Sequence, residues 1–275
     1  MAITLLGRDD LPALRLEYGL YPNGEPYVKD DGIVPGYTKM VVQPTNLQEF
    51  VAAMWYLEDA RELGHAMINE LEVPFMPGAR QDRYQVAPGA NRIFTLKHVC
   101  DLICYTNVES VVTLDINSNE IKNHLRGRKL RLVEPWELFE DDLEYWMGRY
   151  DTIVAPDAGA HERANGVAQL LKTDIVTATK KRNPATGALS NYSIDAARLG
   201  KNVLVIDDIC DGGGTFMMLA NATGRTDMDL YVSHGLFSRG TKQLQQKFRR
   251  IITTNSVPTN FENTNFHVID VAGKL

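Results

Sequence analysis

Cysteine is scarce in this sequence: Cys100, Cys104 and Cys210 are the only three in 275 residues. An odd count with no Cys-x-x-Cys pair excludes a disulfide framework and points to a reduced compartment. Cys100 and Cys104 stand one helical turn apart near His98, but free cysteine is commonly a small core residue. The pair therefore reads as a buried helix face rather than a zinc site. Excess positive charge is missing too: 29 Lys and Arg against 35 Asp and Glu leave a net charge of −6, which argues against a general nucleic-acid binder. No run of about 18 apolar residues occurs, so no membrane span is predicted. The opening MAITLLGRDD lacks the basic and apolar blocks of a signal peptide, and a cytoplasmic chain is expected. Neither Gly-x-Gly-x-x-Gly nor Gly-x-x-x-x-Gly-Lys-Ser/Thr appears, which excludes the usual dinucleotide fingerprint and the P-loop.

What is present is an alternation of short apolar runs with helical periodicity, and 44% hydrophobic residues to build cores from. That alternation predicts an α/β fold of mainly parallel sheet flanked by helices. Strands are expected over residues 38–42, 71–75, 111–115, 152–156, 175–179, 203–207, 230–233 and 251–254. A helix is expected between Thr45 and Gly64, with Thr45 and Gln48 spaced as a capping box and Gly64 as the stop. Leu47, Phe50, Met54, Leu57 and Leu63 share one face of it and read as a core stripe. The least apolar connection lies near residues 126–135, so two α/β halves are expected, 1–134 and 135–275.

Three of the predicted strands end in aspartate, at Asp115, at Asp157 and at the pair Asp207–Asp208. Parallel α/β sheets bind ligands at the carboxyl ends of their strands, so these carboxylates mark the expected site. A lone aspartate after a strand is commonly a turn former or helix cap; three strand ends together favour chemistry. The sharpest segment is VLVIDDICDGGGTF, residues 203–216. It delivers two adjacent carboxylates, then Asp211, then Gly212, Gly213 and Gly214, then Thr215 at the start of a helix. Carboxylates accept hydrogen bonds from vicinal sugar hydroxyls and hold Mg²⁺ directly or through water. Glycines allow backbone N–H groups to approach a phosphate, and a helix N-terminus favours its charge. The segment suits a sugar phosphate.

This segment resembles the ribose-phosphate fingerprint of the type I phosphoribosyltransferase fold. Further segments, in conserved order, are similar to the ribose-phosphate pyrophosphokinase branch of that fold: YPNGE at 21–25, ARQDR at 79–83, APDAGAHERA at 155–164, TKKRNP at 179–184, SHGLFS at 233–238 and TNSVP at 254–258. The resemblance implies two similar phosphoribosyltransferase-type domains, the first contacting ATP and the second ribose phosphate. It implies Mg²⁺-dependent transfer of the β,γ-pyrophosphate of ATP to the anomeric hydroxyl of ribose 5-phosphate. By the same resemblance Tyr21, Asn23 and Glu25 clamp the adenine, near a subunit interface of a homo-oligomer. Arg80 and Gln81 hold ATP phosphates and the base edge, and Asp157 helps to place Mg²⁺. Lys180 and Arg182 close over the transferring group as catalytic residues of a mobile loop. Asp207 and Asp208 hold the ribose, and Asp211 to Thr215 its 5-phosphate.

Three departures from the family pattern stand out. Asn117 occupies the place of a family histidine near metal and ATP phosphate, and asparagine is a poor metal ligand. Gly212 replaces a threonine of the phosphate loop. The C-terminal HVIDVAGKL ends before a helix usual in the family, which implies changed assembly or regulation. The alternatives are the same transfer to a larger ester such as ADP-ribose, a phosphoribosyltransferase, and a catalytically silent regulatory subunit. The first is suggested by Gly212 and the last by Asn117.

Overall fold

Among the described residues the apolar runs fold into two large sheets, each in its own compact unit. The computed structural model describes residues 2–7, 13–29, 36–62, 64, 67–84, 93–182, 189–258 and 265–275. One unit comprises Met1–Val133, Ser256–Pro258 and Asp270–Leu275, and the other Glu134–Asn255 and Thr259–Ile269. Beside the expected halves 1–134 and 135–275, residues 256–258 and 270–275 group with the first unit and Glu134 with the second. The reason is polar. Fully buried Glu72 accepts a hydrogen bond from the Gly273 amide at 2.6 Å and pairs with Lys39 at 2.6 Å, and Lys39 in turn donates to the Leu275 carbonyl.

Among its described residues the first unit has seven strands: β1 (Ala2–Gly7), β2 (Leu14–Leu20), β3 (Pro26–Lys29), β4 (Tyr37–Gln43), β5 (Glu70–Glu72), β6 (Ser110–Leu114) and β7 (Lys129–Val133). Their order is β3-β2-β1-β4-β5-β6-β7. β4 to β7 run parallel, while β1, β2 and β3 add an antiparallel extension that was not expected from sequence. Phe50, Met54 and Leu57 of the helix Leu47–Glu62 and Leu96, Val99, Cys100 and Ile103 of the helix Thr95–Tyr105 pack in one core with Ile3, Met40, Leu71 and Val111. The expected stripe holds except at its ends: Leu47 is exposed, and Leu63 lies outside the described residues. The predicted capping box is displaced by one residue. Asn46 Oδ1 accepts the Glu49 amide, and the Glu49 carboxylate accepts the amide and hydroxyl of Thr45. Gln48 turns away and donates to the Gly24 carbonyl. The segment expected as a connection, 126–135, contains edge strand β7 and the start of the helix Pro135–Glu140.

The second unit carries β8 (Thr152–Ala155), β9 (Asp174–Thr177), β10 (Thr179–Arg182), β11 (Leu189–Ser193), β12 (Val203–Cys210), β13 (Asp229–Gly235), β14 (Arg250–Thr254) and β15 (Phe266–Ile269). Six of these form a wholly parallel sheet in the order β15-β14-β13-β12-β8-β9, and β10 and β11 form a separate antiparallel ribbon. A parallel sheet needs cover on both faces. On one face Ala164, Val167, Ala168 and Leu171 of the helix His161–Leu171 pack with Ile153, Leu204 and Ile206. On the other, Phe216, Leu219 and Ala220 of the helix Gly214–Thr223 pack with Val203, Val205, Leu230 and Ile251. Both units are of the expected α/β type.

Candidate functional site

β12 runs further than its apolar stretch suggests, through the acidic pair to Cys210. Successive strand residues face opposite ways, which gives Asp207 and Asp208 different neighbours. Asp208 is buried and meets Arg163 Nη1 at 3.4 Å, from the helix that covers that face. Asp207, only partly exposed, accepts the Asp208 amide at 2.9 Å through Oδ1. Desolvation, and next the charge of Asp208, push its carboxyl well above the usual range; Arg163 partly offsets this and Asp157 adds to it. The structure therefore brings Asp157, Asp207, Asp208 and Arg163 into one electrostatic group.

Asp157 also performs the local task of its residue type. Its Oδ1 accepts the amides of Gly159 at 3.0 Å and Ala160 at 3.3 Å, capping the short turn that leads into the helix at His161. Tyr192 on β11 donates to the Pro156 carbonyl at 2.9 Å, and burial, then Asp157 and Asp207, push its phenol up. That bond ties the β10–β11 ribbon to the carboxylate group. Lys180 and Arg182 belong to β10, where Lys180 pairs with Tyr192 and Arg182 with Leu189 across the ribbon; their side chains lie outside the described part of the chain.

Beyond β12 the chain turns through Asp211, Gly212 and Gly213 into the helix that starts at Gly214, with Thr215 in its first turn. Gly213 sits at φ 73°, a conformation that side chains resist, and a Cβ there would also crowd Leu244 at 3.3 Å. Gly212 and Gly214 are exposed, and a Cβ on Gly214 would meet nothing within 4 Å. The result is an open backbone turn at the positive end of a helix, the arrangement that receives a phosphate. The carboxylates are hard oxygen donors in mutual repulsion, and they fit a divalent cation such as Mg²⁺, which takes one or two carboxylates and shares its sphere with substrate phosphates.

In the first unit the expected adenine-contacting residues sit on the β2–β3 hairpin. The Tyr21 amide donates to the Glu25 carbonyl and the Gly24 amide to the Tyr21 carbonyl, both at 2.8 Å, and Asn23 Oδ1 accepts the Glu25 amide. Tyr21, Asn23 and Glu25 are all exposed on this tip, and Tyr21 tilts against Tyr27 with ring centres 5.1 Å apart. Arg80 and Gln81 are exposed on the turn after β5, where Gln81 accepts a hydrogen bond from the Thr95 hydroxyl. Their neighbour Asp82 is buried. Its carboxyl lies below the usual range because of its bonds to Arg83, against the opposing effect of burial and with help from Ser118. Ser118 belongs to the loop after β6, so that loop and the ARQDR turn adjoin. Asn117 is exposed on the same loop, and Asp115 at its base is buried with φ 39°.

A phosphoribosyl transferase domain model matches residues 136–260. Ribose-phosphate pyrophosphokinase of Pyrococcus furiosus is 28% identical over 263 residues, 92% of this chain and 89% of its own. That of Sulfurisphaera tokodaii is 25% identical over 271 residues, 95% of this chain and 90% of its own. The chain is similar to ribose-phosphate pyrophosphokinases over nine-tenths of its length. A solved structure, phosphoribosylpyrophosphate synthetase from Mycobacterium smegmatis, shares the fold over 94% of this chain and 86% of its own, with a TM-score of 0.76 and 22% identity. The shared fold thus extends through both units. Two neighbours of the site escaped the sequence reading. Arg163 stands in a quoted motif but was given no role, although its place six residues beyond Asp157 on a strand-to-helix turn was a signal. Tyr192 carried no signal, because only the tertiary fold brings it to Pro156.

Proposed function

We propose that this chain transfers the β,γ-pyrophosphate of ATP to the anomeric hydroxyl of ribose 5-phosphate, releasing AMP. The observation that carries the reading is the end of β12, where a carboxylate pair, one member matched by Arg163, leads into a glycine turn at a helix N-terminus. Relatives named ribose-phosphate pyrophosphokinase support it. Asp207 and Asp208 accept hydrogen bonds from the ribose hydroxyls, and this orients the anomeric oxygen. The backbone from Asp211 to Thr215 receives the 5-phosphate. Tyr21, Asn23 and Glu25 hold the adenine, and Arg80 and Gln81 the phosphates and base edge of ATP.

The anomeric oxygen then attacks the β-phosphorus, the bond from the β-phosphorus to the α-phosphate oxygen breaks, and the hydroxyl proton leaves to solvent. Such a transfer needs in-line positioning and stabilisation of the developing charge, with no covalent help from the protein. Lys180 and Arg182 supply cations to that charge. Mg²⁺, held with the help of Asp157, would neutralise the phosphate oxygens. The reading includes a homo-oligomer with the adenine-binding hairpin near a subunit interface, supported by the 54% exposure of Tyr21. It also includes a cytoplasmic setting; among the described residues no helix is long and apolar enough to cross a membrane.

A second reading has a specific observation in its favour. Gly214 is exposed and a Cβ there would meet nothing within 4 Å, which leaves that side of the phosphate turn open, so a phosphate esterified to a further group, as in ADP-ribose, also fits. The experiment is incubation with Mg·ATP and ribose 5-phosphate, with products identified by mass. The proposal expects AMP and phosphoribosyl pyrophosphate in equal amounts. Absence of both while ATP and ribose 5-phosphate bind would overturn it.

A further inference from the structure

The glycine at position 212 has a partner that the phosphate turn acquires from β13. After β13 the chain makes a tight turn, with the Gly240 amide donating to the Phe237 carbonyl at 2.8 Å. This turn is fixed to the phosphate turn, because the amides of Leu236 and Phe237 both donate to the Cys210 carbonyl at 2.9 Å. It carries Arg239, whose Cδ and Nε lie 3.4 Å from where a Cβ on Gly212 would stand. Arg239 is exposed, and among the described residues no carboxylate or carbonyl engages its guanidinium. An arginine stem resting on a glycine with its fork unpaired is a ready donor for phosphate oxygens, which match that fork in geometry and charge.

We propose that Arg239 is a binding residue for the phosphate of the acceptor, with its stem in van der Waals reach of position 212, so that a side chain longer than a methyl at 212 would meet the arginine. This rests on the reading of Cys210–Thr215 as the acceptor-phosphate turn and goes beyond it, since the donor comes from a different strand end. The two positions form an exchange. A hydroxyl side chain at 212 and an arginine at 239 compete for one volume and serve one ligand.

The test is a double-mutant cycle on Arg239→Ala, Gly212→Thr and the double variant, with Arg239→Lys as the conservative control. Ribose 5-phosphate binding is measured by calorimetry, and KM and kcat for both substrates by kinetics. Loss of a charge-assisted hydrogen bond predicts that Arg239→Ala weakens ribose 5-phosphate binding by about 10- to 100-fold. The KM for ATP and the kcat at saturating acceptor should change little, and Arg239→Lys should recover part of the loss. Gly212→Thr alone should weaken binding by crowding the arginine, whereas the double variant should bind better than Arg239→Ala, a non-additivity expected of residues that share a contact. A parallel titration with ADP-ribose shows whether the fork serves a terminal phosphate or an esterified one. If the wild type binds ribose 5-phosphate and Arg239→Ala binds it equally well, the inference is wrong and the phosphate turn stands. If the wild type binds neither ligand, the reading of the turn fails and the inference with it.

Discussion

Replacing Asp207 by asparagine keeps the side-chain shape and the oxygen that accepts the Asp208 amide at 2.9 Å, but it removes a charge from beside Asp208 and Asp157. That charge is costly in the free protein, because desolvation first and Asp208 second hold the Asp207 carboxyl well above the usual range. A carboxyl raised in this way binds its proton more tightly in the folded than in the unfolded chain. The associated stability is complete below about pH 4, the unfolded value, and is lost as pH rises through the folded one. Asparagine has no such loss. In chelator and without substrates, the variant should match the wild type near pH 4 and exceed it at about pH 8. The expected gain there is about 1–3 kcal/mol, the ordinary range for relieving a buried polar cost, or roughly 2–4 °C in Tm for each kcal/mol. Turnover should fall about 10²–10³-fold, as when other preorganised electrostatic groups are lost. Added magnesium should reverse the order of stability, since an ion bound to folded carboxylates favours the wild type. Thermal melts at the two pH values and steady-state kinetics are the assays. A variant less stable than the wild type at the higher pH, or one with normal turnover, would refute the reasoning.

Arg163→Gln should leave Asp208 buried without its cation partner, whose side chain is 11% exposed against 12% for that of the aspartate. Breaking a buried pair from one side predicts a loss of about 3–5 kcal/mol, read by urea denaturation, together with weaker ribose 5-phosphate binding. Lys180→Ala and Arg182→Ala should lower kcat more than they weaken ATP binding if they meet charge that grows only in the transition state. Calorimetry showing ATP affinity falling in step with turnover would instead make them ground-state phosphate ligands. In a competition between ribose 5-phosphate and ADP-ribose, the main reading expects ribose 5-phosphate to be consumed first, and preferential consumption of ADP-ribose would favour the uncapped-turn alternative.

The central parallel strands were legible because they are buried on both faces and appear as near-continuous apolar runs, as in VVTL before Asp115 and VLVI before Asp207. Strands at sheet margins were not. LRLEYGL of β2 has one buried residue among seven, and KLRLV of β7 alternates on an exposed edge, so both resemble loops by composition. The capping residue was missed by one position because Thr45 and Asn46 both suit a helix start. Only the fold shows that the Asn46 side chain takes the Glu49 amide. At the site, the carboxylates and glycines were visible as one contiguous segment. Arg163 lay in a quoted motif without its role, and Arg239 was invisible, since it reaches Gly212 from a different strand end. Contiguous chemistry is written in the chain, whereas groups that converge through the topology have to be seen.

The most direct measurement of the central claim uses ATP labelled with heavy oxygen on its β-phosphoryl group, with ribose 5-phosphate and Mg²⁺, and follows the label by phosphorus NMR or mass. Pyrophosphoryl transfer predicts unlabelled AMP as the nucleotide product and all of the transferred label in a diphosphate on the anomeric oxygen of the sugar. Label retained in ADP, with a single phosphate on the sugar, would contradict it.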